Sequence, residues 1–173
     1  ALRQLNTKDS EGNRVQERYN GSGAKVLGLN LEGKAAFTSW FQLQAGMTLQ
    51  QSRYDEETEW DEDAPKVKKF MRTPSAYGYF TASFTPLKNL SASLSGNYTG
   101  RMLVGHAKHT LEDGTEVGPE AVDTPAFFTL NTKLAYNIRL SDYVKLELNA
   151  GIQNLTNAYQ KDFDRGWGRD SAY

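Results

Sequence analysis

Apolar and polar residues alternate with a period of two along most of this chain. The pattern is clearest from Pro125 to Asn154. Phe128, Leu130, Leu134, Tyr136, Ile138 and Leu140 share one parity, which only Thr132 interrupts, while Thr129, Asn131, Lys133, Asn137 and Arg139 share the other. After Ser141-Asp142, Val144, Leu146, Leu148, Ala150 and Ile152 alternate with Lys145, Glu147, Asn149 and Gln153. Side chains alternate faces along a strand, so this stretch predicts a long hairpin with one apolar and one polar face. A helix would mix Leu130, Lys133 and Asn137 on one stripe. Four more segments alternate in the same way. Leu27 to Phe37 is followed, after Thr38-Ser39, by Phe41 to Gln50; Ala76 to Thr85 is followed, after Pro86-Leu87-Lys88-Asn89, by Leu90 to Thr99.

The connections alternate between long and short. Residues 1–5 read as the end of a strand and residues 6–20 as a polar, turn-rich loop; residues 52–74 and 105–124 read as long loops, and 156–173 as a polar tail. The strands reach ten residues or more, beyond the usual five or six or so of soluble sheets. Short turns at one end, long loops at the other and about nine to eleven residues per strand are the pattern of outer-membrane barrels. Phe37, Phe41 and Phe84 stand on the apolar parity beside short turns. Tyr98 and Phe128 stand on it at the long-loop ends, so the aromatics fall at two heights. The expected fold is all-β, an antiparallel up-and-down meander of long strands forming part of a transmembrane β-barrel. The alternative is a soluble antiparallel β-sandwich that binds carbohydrate or protein through Trp60, Trp167 and neighbouring tyrosines. A third reading is a small eight-stranded, adhesin-like barrel. The polar rows, rich in Gln, Ser, Thr and Asn, suit a hydrated lumen.

Composition narrows the function. The net charge is −1, so there is no electrostatic case for nucleic acid. The chain has no cysteine, which excludes disulfides, thiolate metal sites and cysteine nucleophiles. No apolar run is long enough for a membrane helix, and the first residues lack a signal-peptide pattern. No phosphate-binding glycine loop, catalytic triad order or deaminase zinc pattern occurs, so the expectation is a non-enzyme without a cofactor.

A barrel must close, because an open edge in hydrocarbon leaves backbone groups unpaired. Six strands fall short of the eight or so of the smallest single-chain barrels. The expectation is therefore a piece of a larger barrel. Recognisable residues support this. Asn154-Leu155-Thr156-Asn157 after a strand, then Tyr159-Gln160, Asp162-Phe163-Asp164, Gly166 and Arg169-Asp170-Ser171, resembles the C-terminal region of TonB-dependent outer-membrane receptors. Tyr19-Asn20 with Gly23-Ala24, Gly46-Met47-Thr48, Arg72-Thr73-Pro74 and Gly96-Asn97-Tyr98-Thr99-Gly100 are similar to that family as well. The resemblance implies that residues 1–173 are a C-terminal portion of the barrel, without the plug domain and the final strand. It implies a bacterial outer-membrane location and uptake of an iron-siderophore, haem or cobalamin. The implied partners are outer-membrane lipid, the TonB complex through the plug, and a small-molecule ligand such as a metal chelate.

Several residues qualify as contacts. Asp55, Glu56, Glu57, Glu59, Asp61, Glu62 and Asp63 form an acidic run, either a calcium site or, as blocks of like charge usually are, a solvated loop countered by Lys66, Lys68 and Lys69. Asp162, Asp164 and Asp170 lack one position of a calcium loop, and read instead as a structural latch with Arg165 and Arg169. His106 and His109 sit three apart without a third ligand, so metal or haem binding yields to surface histidines. Trp60 and Trp167 are loop tryptophans, suited to stacking on a ligand ring or to loop packing.

Overall fold

The computed structural model describes residues 2–8, 10–11, 14–18, 23–60, 63–110 and 114–162. The strands are β1 (Leu2–Lys8), β2 (Arg14–Arg18), β3 (Ala24–Ala36), β4 (Phe41–Thr58), β5 (Val67–Lys69), β6 (Ala76–Leu87) and β7 (Leu90–Thr99). They continue as β8 (Leu103–His106), β9 (His109–Thr110), β10 (Glu116–Val117), β11 (Glu120–Asp123), β12 (Phe127–Arg139) and β13 (Lys145–Ile152). The fold is all-β. One antiparallel sheet runs β13-β12-β7-β6-β4-β3, with β5 beside the far part of β4. Every strand predicted by alternation is present in it.

Three connecting regions differ from the reading by composition. Residues 6–20 are not one loop: β1 and β2 pair antiparallel, with Leu2 opposite Arg18. The acidic run does not begin in a loop, because β4 continues through Thr58 and pairs with β5 at Arg53–Lys69. The third region, 105–124, holds β9 to β11 and the end of β8, which pair as two short hairpins. In each case backbone pairing overrides a polar composition, since a ladder needs donors and acceptors rather than apolar side chains.

The register aligns like with like. One row crosses the sheet through Ala35, Leu43, Ala82, Leu94, Thr132 and Ile152, and its neighbour on the other face through Lys34, Gln44, Thr81, Ser95 and Asn131. A one-residue slip would exchange the faces of a whole strand, so the alternation itself fixes the register. Thr132, the interruption in its apolar row, donates its hydroxyl to the Ser93 carbonyl of β7 at 3.2 Å, which satisfies it there. Two glycines admit large rings: Tyr79 lies over Gly46 on the polar face, and Phe80 and Phe128 flank Gly96 on the apolar face.

The short turns fall on a slanted line. Phe41, Phe84, Ala92, Leu134 and Ala150 are level in the register. The first turn closes at that level, where the Phe37 amide donates to the Phe41 carbonyl at 3.1 Å. The second closes at Leu87–Leu90, two residues past Ala92. The third closes with the Leu140 amide on the Val144 carbonyl at 3.0 Å, six residues past Leu134. The step is thus six residues over four strand spacings in the sheet order. At about 3.4 Å per residue and about 4.8 Å between strands, the line of turns slants by roughly 45° from the perpendicular to the strands. Along it, Phe37, Phe41 and Phe84 stack into a ladder, with centroids 5.4 and 4.9 Å apart, and Trp40 stands beside them.

The sheet buries little. On the apolar face Leu27 is 78% exposed and Leu31 63%, and Leu134, Leu148 and Ile152 are exposed too. Among the described residues, the buried members of the paired wall are small: Ser52, Ala82, Gly96 and Ala135.

Candidate functional site

Two regions gather side chains with chemistry: the layer formed by the long loops, and a cleft on the polar face below it. The loop layer has the packed core that the sheet lacks. Val104 and Thr124 are fully buried, and Met102, Ala64, Ser52, His106 and Gln160 are nearly so. Val104 is on β8, which β11 covers with Ala121 opposite Gly105 and Val122 opposite Val104. The Thr124 amide donates to the Met102 carbonyl at 2.9 Å, and the Met102 amide donates back to Thr124 Oγ1 at 3.3 Å. The preceding loop joins the layer through a bridge from Met71 to Leu103, where the Arg72 amide donates to the Leu103 carbonyl at 2.7 Å. Lys69 of β5 pairs with Asp123 of β11 at 2.9 Å.

His106 is buried, at 3% exposure, rather than on the surface as its loop position suggested. Its Nδ1 lies 3.3 Å from Glu120 Oε1 and its Nε2 lies 2.8 Å from the Asp162 carbonyl oxygen. A carbonyl and a carboxylate only accept hydrogen bonds. An imidazole with protons on both nitrogens satisfies both, and a neutral one satisfies a single partner. His106 therefore ties the segment after β13 to the β8–β11 hairpin. The contact to Asp162 is made by its backbone carbonyl and not by the carboxylate–arginine latch expected from the sequence. Asp164, Arg165, Arg169, Asp170 and Trp167 lie outside the described residues, as do Asp61, Glu62 and the side chain of His109.

Trp60 is half-buried. Its ring lies on Gly105, where a Cβ would strike ring carbons, so it packs within the layer. Its Nε1 is buried and has no hydrogen-bond partner among the described residues, and the same holds for Gln160 Oε1. In the acidic run, Asp55 pairs with Lys25 of β3 at 3.1 Å. Among the described residues no three His, Cys, Asp or Glu side chains stand close enough to share a metal.

The Asn154-Leu155-Thr156-Asn157 segment is a built turn. Asn154 and Asn157 have φ of 52° and 47°, the left-handed region that asparagine tolerates. Asn154 Oδ1 accepts from the Ala158 amide at 3.0 Å, and Asn154 Nδ2 donates to the Ala158 carbonyl at 2.8 Å. The turn is fastened to β12 by the Leu155 amide on the Leu130 carbonyl and by Thr156 Oγ1 on the Phe128 carbonyl, at 2.7 and 2.8 Å. These bonds direct the chain from β13 towards His106.

Below the layer, the polar face holds a cleft of about 650 Å³, lined by residues of β3, β4, β6 and β7 together with Pro74. The register places Glu32, Gly46, Tyr79 and Asn97 side by side, and Asn30, Thr48, Tyr77 and Thr99 in the next row of that face. Tyr79 reaches across Gly46: its hydroxyl donates to Glu32 Oε1 at 2.6 Å. Gln44 Nε2 donates to the same oxygen at 2.9 Å and lies 3.2 Å from the Tyr79 hydroxyl. The reading of the sequence missed this constellation, because its members come from separate strands. The available signal was a pair of tyrosines, Tyr77 and Tyr79, on the otherwise small and polar parity of β6.

Comparison with solved structures finds a likeness to the siderophore receptor PiuA from Acinetobacter baumannii, with a TM-score of 0.53 and 16% identity. It covers 79% of this chain and 18% of that receptor, so the chain spans about a fifth of its length. No protein-family model matches the sequence, and no curated protein does. At this identity the likeness is one of fold: an antiparallel meander also found in a siderophore receptor.

Proposed function

We propose that this chain forms part of the barrel wall and outer loops of a TonB-dependent receptor in a bacterial outer membrane, and that the receptor takes up a small nutrient of the iron-siderophore, haem or cobalamin class. The observation that carries this reading is the slant of the short turns. Turns at one membrane surface share one height, so a line of turns slanted by roughly 45° means strands tilted by roughly that angle. Membrane barrels tilt their strands by about 35–45°. The exposed apolar rows support the same reading, since acyl chains would cover them, and so do the outer edges of β3 and β13, which pair with no strand among the described residues and which a closed barrel would pair. The aromatic ladder at the turn end then lies at the periplasmic interface. A plug domain elsewhere in the receptor would contact TonB. The function is binding and passage, without covalent chemistry. The likeness to a siderophore receptor and the Asn154–Asn157 turn agree with it.

Lysine at Leu134 or Leu148 tests the reading in the full-length receptor. In a bilayer each substitution costs about 2–4 kcal/mol near the midplane and less near the rims. Assembly into the outer membrane should fall while the polar-face exchange Ser95→Lys leaves it intact. Unimpaired assembly of both leucine variants would refute the lipid-facing assignment. Uptake or binding assays over iron chelates, haem and cobalamin then identify the cargo.

A further inference from the structure

The cleft on the polar face has a chemistry of its own. Its volume, about 650 Å³, is that of a small-molecule site and exceeds what one amino-acid side chain fills. Tyr77 and Tyr79 line it at 41% and 38% exposure, so ring surface is open to an occupant. Glu32 supplies the one charge of the lining. Both of its hydrogen bonds, from Tyr79 and Gln44, end on Oε1, and among the described residues Oε2 receives none. Thr48 and Asn30 bond to each other at 3.0 Å and hold the far wall. Lys34, two residues along the same face towards the turn end, is the nearest cationic position in the register and does not line the cleft.

We propose that this cleft binds a small organic cation, with an ammonium or guanidinium group on Glu32 and an apolar body against the rings of Tyr77 and Tyr79. A carboxylate fixed by two donors and bordered by aromatic faces favours a cation twice, through a charge-assisted hydrogen bond and through the ring quadrupole. Gly46 is part of the device, because a side chain there would push Tyr79 off the carboxylate. Four neighbouring strands build the cleft, so the proposal stands independently of the membrane reading.

The test titrates the folded full chain, with strand amide dispersion as the check on folding, and follows the tyrosine ring resonances. Phenethylammonium is the probe, 2-phenylethanol its neutral counterpart, and maltotriose the polyol competitor. The expected result is saturable shifts at Tyr77 and Tyr79, with the cation binding about tenfold more tightly than the alcohol. Glu32→Gln keeps acceptors for Tyr79 and Gln44 and should bring the two probes to parity, while Tyr77→Ala weakens both. Lys34→Gln should strengthen the cation. Equal binding of cation and alcohol to the unaltered chain, preference for maltotriose, indifference to Glu32→Gln, or no saturable shift overturns the proposal.

Discussion

The wall and the loop layer are made by opposite means. In the wall, side chains stand exposed or half-buried on both faces, and a continuous backbone ladder holds the strands together. In the loop layer the strands are two to four residues long, and the order comes from a small buried core around Val104, Thr124 and His106. Such a wall depends on the medium that meets its apolar rows. The layer carries its own core and depends on contacts between distant parts of the chain. A substitution should therefore act on one region and spare the other.

The largest effect is expected from Val104→Asp, which buries an unpaired charge at a fully buried position. The loop layer should lose about 4 kcal/mol or more. Amide exchange of β8 and β11 should accelerate while exchange in β6, β7 and β12 stays slow; acceleration everywhere would mean that the two regions are one cooperative unit. Next comes His106→Ala, which removes the ring that meets both Glu120 and the Asp162 carbonyl. A loss of about 2 kcal/mol, read by exchange of residues 154–162, is expected. Gly46→Ala sharpens the comparison from the wall side. The added Cβ would sit 2.7 Å from Tyr79 Cε1, so the ring must shift and its bond to Glu32 weakens. A cost of about 1 kcal/mol confined to β4 and β6 should appear in their exchange rates.

The smallest effect concerns pH. Lys108 and Glu116 pair at 2.6 Å near the β9–β10 hairpin. The Lys108 ammonium holds the Glu116 carboxyl below the usual carboxylate range, and Glu116 in turn raises Lys108. A depressed carboxyl stabilises the fold above its unfolded pKa and ceases to do so as pH falls through the folded value; a raised lysine ceases to do so as pH rises through its own. The hairpin should be most protected between these limits and loosen below the carboxylate range. Both groups are exposed, so the change is slight and fades in salt. A Glu116→Gln variant should show no acid step in the exchange of residues 109–110.

Alternation made the wall legible. A period of two determines which residues share a face, and turn lengths determine which strands are neighbours, so each predicted strand appears in its predicted place. The Asn154–Asn157 segment stood out in the sequence only as a resemblance; its turn, with both asparagines at positive φ, came from the structure. The loop layer was not legible. The polar stretch 105–124 carries no period, and its short strands exist because distant segments offer matching backbone donors and acceptors. The same reason hid the burial of His106, whose partners are 14 and 56 residues away in the chain, and the meeting of Glu32 with Gln44 and Tyr79. Local sequence thus determined the faces, the register and the order of the wall strands, because side-chain period and turn length are short-range properties. Tertiary structure alone decided the slant of the turns, the buried core of the loops and the cleft, because each is a relation between strands that no single stretch of sequence contains.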